Sequence, residues 1–183
     1  MDRAAAYTLL TEYTANPSLI KHMLAVEAAM RAYARKFGED EEVWGTIGLL
    51  HDFDYERYPT AAEHPYKGAE ILRSKGVDED WIRTIMSHAS YTGIPRETRR
   101  DKTLFAVDEL CGFLTAVALV RPDKSIASVE VSSVKKKMKQ KAFAAQVSRE
   151  DITQGAAELG VDLDEHIAFV IEALKSIAPD LGL

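Results

Sequence analysis

The chain has one cysteine, Cys111, among its 183 residues, so it cannot close an intrachain disulfide, and no zinc-finger spacing is present. It also lacks a basic surplus. Lys and Arg number 23 against 29 Asp and Glu, a net charge of −6, which argues against a broad nucleic-acid-coating face. No apolar run is long enough for a membrane span: the longest, from Leu110 to Val120, falls short of the roughly 20 residues required. No N-terminal segment joins a basic head to an apolar stretch and a small-residue cleavage site. These absences lead to the expectation of a cytoplasmic protein with no membrane and no nucleic-acid polymer as partner. Alternating strand patterns, internal repeats and low-complexity tracts are missing as well.

What is present is helical periodicity. The composition is 46% hydrophobic, enough for one domain with a full core. Asn16-Pro17 is a helix start, an asparagine cap followed by proline. From Ser18 to Phe37, Leu19, Met23, Val26, Met30 and Tyr33 recur at three- and four-residue steps until Gly38. A second apolar run, Trp44 to Leu50, ends in His51-Asp52. Further helices are expected over Tyr66–Lys75, from Asp78 toward His88, over 101–120, from about Ser125, and near 149–159 and 163–177. Tyr91 to Arg100 is expected as a surface loop. The fold class is all-α, a compact helical bundle over residues 1–183, with a core at about 16–120 and C-terminal helices 121–183 packed on it.

Chemistry concentrates in His22, His51, Asp52, His64, His88 and Asp108, each on or at the end of a predicted helix. Imidazoles and carboxylates are the ligand set of first-row divalent ions, and a carboxylate can bridge two of them. Asp108 stands inside a strongly apolar helix, where burial demands a partner. His166 lies in the polar stretch 162–165 and reads as solvated surface. Cys111 reads as a small core residue. Lys135, Lys136, Lys137, Lys139 and Lys141 ring their helix, and Lys67 shares a helix face with His64. Lys67, Lys135 and Lys141 are candidates for contact with an anionic substrate.

The order His … His-Asp … Asp resembles the HD superfamily of metal-dependent hydrolases over about residues 16–120. The resemblance implies that His22, His51, Asp52 and Asp108 bind one metal. It implies that His64 and His88 serve a second, with Asp52 as bridge and principal catalytic residue. The segment His64 to Leu72 is similar to the family's second-metal helix. His51-Asp52-Phe53-Asp54 stands where a better-known branch has His-Asp-Ile-Gly. The lysine that some phosphohydrolases carry after the pair is absent. The chain as a whole, Asp52 to Glu56 and Lys137 to Ala145 included, is most similar to a bacterial and archaeal branch predicted as hydrolases with unassigned substrates.

The resemblance implies one or two divalent ions (Mn, Fe, Ni, Co, Zn or Mg) and a small phosphorylated substrate, a nucleotide or other phosphoester. It leaves a homodimer open. The same ligand set resembles HD-fold diiron oxygenases such as myo-inositol oxygenase, and a non-catalytic metal- or nucleotide-binding sensor is a third reading.

Overall fold

A computed structural model describes all 183 residues as an all-helical fold. Two helices of 21 residues form its centre: α2 (Pro17–Phe37) and α6 (Arg99–Leu119). Ahead of α2 runs α1 (Arg3–Tyr13). Between the central pair lie α3 (Glu41–Leu50), α4 (Tyr66–Ser74) and α5 (Glu79–Ser87). After α6 come α7 (Val131–Met138), α8 (Arg149–Leu159), α9 (Leu163–Lys175) and the short α10 (Ala178–Leu181). No helix is long and apolar enough to cross a membrane.

Local signals account for most boundaries. The Asn16 side chain accepts from the Ser18 N–H ahead of Pro17, and Gly38, at φ +71°, closes α2 in the left-handed region. Asp40 caps α3 through the N–H groups of Glu42 and Val43. Thr98 and Asp101 form a reciprocal capping box that starts α6 two residues before the expected position 101. Asp101 is fully buried and is satisfied by Arg83, Thr84 and the N–H groups of Glu97 and Thr98. The expected helix from Ser125 is a single 3-10 turn at Ile126–Ser128, with α7 beginning only at Val131. Another such turn, Ser90–Thr92, overlaps the start of the expected 91–100 loop.

Helix α3 is buried from Trp44 through Leu50 and lies along α2. Gly48 permits that approach: a Cβ there would meet Met30 Cγ at 3.0 Å and the Val26 carbonyl at 3.1 Å. Gly155 does the same for α8 on α6, since its Cβ would meet Ala106 Cα at 2.6 Å. Helix α5 leans on both α3 and α6, while α9 closes over α2 and α6. The ends of α3 and α5 are thereby brought against the middle of α6, where the polar cluster sits.

His166 is a correction to the surface reading. It is 1% exposed and joins three helices: the Tyr33 O–H donates to its Nδ1 at 2.6 Å, and its Nε2–H donates to the Ala106 carbonyl at 2.9 Å. Its polar neighbours Asp162, Asp164 and Glu165 form the cap and first turn of α9. They face solvent while the next residue turns inward to the core. Cys111 is a buried core thiol, as expected, and burial pushes its pKa up.

Candidate metal centre

Five segments converge on the cluster. His22 comes from the second turn of α2 and Asp108 from the middle of α6. His51 and His88 are the C-terminal cap residues of α3 and α5, and Asp52 follows His51 directly. His64 precedes α4 by two residues. All six expected residues meet in two groups, His22 with His51 and Asp108, and Asp52 with His64 and His88; within each group the candidate ligand atoms lie within 4.8 Å of one another.

The carboxylates link the groups. Asp108 Oδ1 is 3.0 Å from His22 Nε2 and 3.4 Å from His51 Nε2. Asp52 Oδ1 is 3.1 Å from His64 Nε2 and 3.2 Å from His88 Nε2, while its Oδ2 is 3.5 Å from His51 Nε2. Asp52 therefore turns one oxygen to each group.

Hydrogen bonds on the far side of three rings fix where their protons sit. His51 Nδ1 donates to the Gly48 carbonyl at 2.7 Å, and His88 Nδ1 donates to the Ile85 carbonyl at 2.5 Å. His64 Nδ1 donates to Asp54 Oδ1 at 2.8 Å. With Nδ1 protonated, a neutral ring presents a lone pair at Nε2. Three such lone pairs face carboxylate oxygens, and the Nε2 atoms of His64 and His88 are 3.4 Å apart. His51 Nε2 and Asp52 Oδ1 are buried without a well-directed hydrogen-bond partner.

Partly buried carboxylates that face imidazole lone pairs are poorly compensated, so the cluster favours added positive charge. Protonation of the imidazoles is one answer. Burial pushes His64 down, but its bonds to Asp52 and Asp54 outweigh this and bring it up to about 9. His51 and His88 rise for the same kind of reason, burial being overcome by Asp52 and Asp108. Burial raises Asp52 and Asp108, yet the facing imidazoles hold both below the usual carboxylate range. A divalent cation is the other answer, and the all-N/O donor set suits one.

Asp54 was visible only as part of the His-Asp-Phe-Asp string. It is 1% exposed and accepts from the Gly68 N–H at 2.8 Å through its second oxygen while orienting His64 through its first. A Cβ on residue 68 would come within 2.8 Å of the Asp54 carboxyl carbon. An aspartate two residues after the pair and a glycine in the following helix were the only available signals.

The cluster opens into a cleft of ≈ 510 Å³ lined by His22, Asp52, His64, His88 and Asp108 with the walls Leu19, Tyr55, Tyr91, Phe105, Glu109, Gln146, Val147 and Asp151. Glu109 is brought up to about 7, by burial first and then by the charge of Asp108. Lys67, Lys135 and Lys141 do not line this cleft. Lys67 is exposed and paired with Glu70 at 2.8 Å, Lys135 pairs with Asp164 of α9, and Lys141 is an exposed residue beyond α7. Sharing a helix face with His64 did not carry Lys67 to the site, because His64 lies before α4 in a turn.

The family model described as the HD domain matches residues 19–112, just over half of the chain. The matched stretch contains all six residues of the cluster. No solved structure matches the chain.

Proposed function

The chain belongs to the HD-domain family, and from that premise we propose that it is a metal-dependent phosphohydrolase acting on a small phosphorylated compound. The observation that supports this most strongly is the orientation of His51, His64 and His88, whose Nδ1 protons are tied to acceptors so that their Nε2 lone pairs turn toward Asp52 and Asp108. In this reading His22, His51, Asp52 and Asp108 would hold one ion, and His64 and His88, together with Asp52, would hold a second.

Bound divalent ions would supply Lewis acidity to phosphoryl oxygens and lower the pKa of a nucleophilic water. The protein's own residues perform the rest. Asp52 spans both groups and is the catalytic residue of the proposal. Asp54 holds His64 in one tautomer and orientation and raises its basicity as a ligand. The Tyr91 O–H donates to the His64 carbonyl at 2.9 Å, anchoring the turn that carries this imidazole. Leu19, Phe105 and Val147 supply the apolar wall that limits water around the reacting group. The net reaction adds water across the ester P–O bond, releasing an alcohol and inorganic phosphate.

A panel of phosphate esters offered to protein loaded in turn with Mn, Co, Ni, Mg and Fe tests the proposal. Release of phosphate by wild type and its loss in Asp52→Asn is the expected result. No turnover of any ester with any metal, or oxygen uptake by the iron form in place of hydrolysis, would overturn it.

A further inference from the structure

The walls of the cleft have a charge pattern that a generic phosphate site does not explain. No lysine or arginine lines it. Glu109 and Asp151 do, from α6 and the first turn of α8, two helices held in close approach at Gly155 and Ala106. Glu109 accepts the Ser148 N–H through Oε2 at 3.1 Å, and no hydrogen bond engages its other oxygen. The Asp151 carboxylate has neither a hydrogen bond nor an ion pair, although its backbone N–H is bonded to the Ser148 hydroxyl.

Nearby cations do not reach these two acids. Arg96 and Lys102 line a separate cavity that shares Ser90 and Asp151 with the cleft. Arg96 is held there in a two-pronged bond to Glu158 and over the Phe105 ring, and Lys102 forms no ion pair with Asp151. Asp52, which lines the same cleft, has an Oδ1 that is buried and unsatisfied. A ligand is therefore called for at the base, and two carboxylates without an ion-pair partner stand on the wall beside it. Tyr55 and Tyr91 add aromatic surface of the kind that favours a cation over an anion.

We propose that the cleft selects a phosphomonoester whose body carries an ammonium group, the phosphoryl end at the His/Asp cluster and the ammonium between Glu109 and Asp151. Such a ligand supplies the positive charge that the wall lacks. A substrate with further anionic groups, such as a nucleoside triphosphate or a phosphorylated carboxylic acid, would meet like charge at Asp151 and at Glu109 wherever it is ionised. The phosphoryl assignment rests on the phosphohydrolase reading above; the charge preference of the wall does not.

Calorimetric titration separates the two. Manganese-loaded protein is titrated with 2-aminoethyl and 4-aminobutyl phosphate, with ethyl and butyl phosphate as counterparts that lack the ammonium, and with 3-(phosphonooxy)propionate as one that carries a carboxylate instead. One of the amines is expected to bind at least about tenfold more tightly than its counterpart, a size of preference in keeping with one desolvated charge contact. That ratio is expected to fall toward one in Glu109→Gln and in Asp151→Asn, both of which preserve side-chain shape. Equal binding of amine and alkyl esters, tighter binding of the anionic ester, no binding of any, or a ratio unmoved by both substitutions would overturn the inference. Phosphate release is measured separately on the same samples. Selective binding of an amine without hydrolysis would keep this inference and discard the phosphohydrolase reading, whereas hydrolysis without selectivity would do the reverse.

Discussion

His64 donates its Nδ1 proton to Asp54 at 2.8 Å, and Asp54 is itself held by the Gly68 N–H at the same distance. An imidazole that approaches a carboxylate on one side and presents its lone pair on the other is oriented as a metal ligand would be.

That relationship can be broken without removing any proposed ligand. Asp54→Ala is expected to lower affinity for the ion served by His64 by about 10–100-fold. Gly68→Ala should act in the same direction through its Cβ, which would crowd the Asp54 carboxyl at 2.8 Å. Competitive titration against a fluorescent chelator measures both. Wild-type affinity in both variants would remove Asp54 from the account.

His166 predicts a pH dependence of stability. Burial holds it below its usual value, so between that lowered value and the unfolded value of about 6.5 the unfolded chain binds more protons than the folded one. Its contribution to stability is therefore present above about pH 6.5 and is lost as pH falls below it. His51, His64 and His88 shift oppositely and are common to both proteins compared, so the difference between wild type and His166→Gln isolates the effect. Urea denaturation from pH 8 to 5 should show wild type losing stability more steeply than the variant below pH 6.5; parallel curves would contradict it.

Gly155→Val should separate α8 from α6, because even a Cβ would lie 2.6 Å from Ala106 Cα. Overpacking of this kind costs about 1–3 kcal/mol, readable as a lower denaturation midpoint. An unchanged midpoint would mean that the two helices are not held in this register.

The lysines give a prediction of little effect. Lys67, Lys135 and Lys141 lie outside the cleft, and exposed substitutions of this kind are ordinarily worth within about 0.5 kcal/mol. Alanine at each should leave the rate of phosphate release within about twofold of wild type. A tenfold loss at any of them would bring that lysine to the substrate.

The helices were legible where the chain carries local signals. Asn16-Pro17, Gly38, the acidic start of α3 and the periodicity of α2 all act within a few residues, and the structure follows them. The six residues of the cluster were legible because their order along the chain is a pattern. Glu109, Gln146 and Asp151 were not legible as one wall, because the approach of α8 to α6 depends on Gly155 meeting Ala106, a contact between residues 49 positions apart. His166 was misread for a related reason: its flanking acids cap a helix and describe solvent, while its own direction is set by Tyr33 and Ala106 on other helices. Lys67 shows the reverse error, since helical spacing was applied across a turn.

Metal content tests the central claim most directly. The protein is purified without added metal, loaded, desalted and analysed for its elements alongside His64→Ala and His88→Ala, with circular dichroism confirming that each variant is folded. The account predicts about two ions per wild-type chain, falling toward one in both variants. One ion or none in wild type, or a content that neither substitution changes, would contradict it.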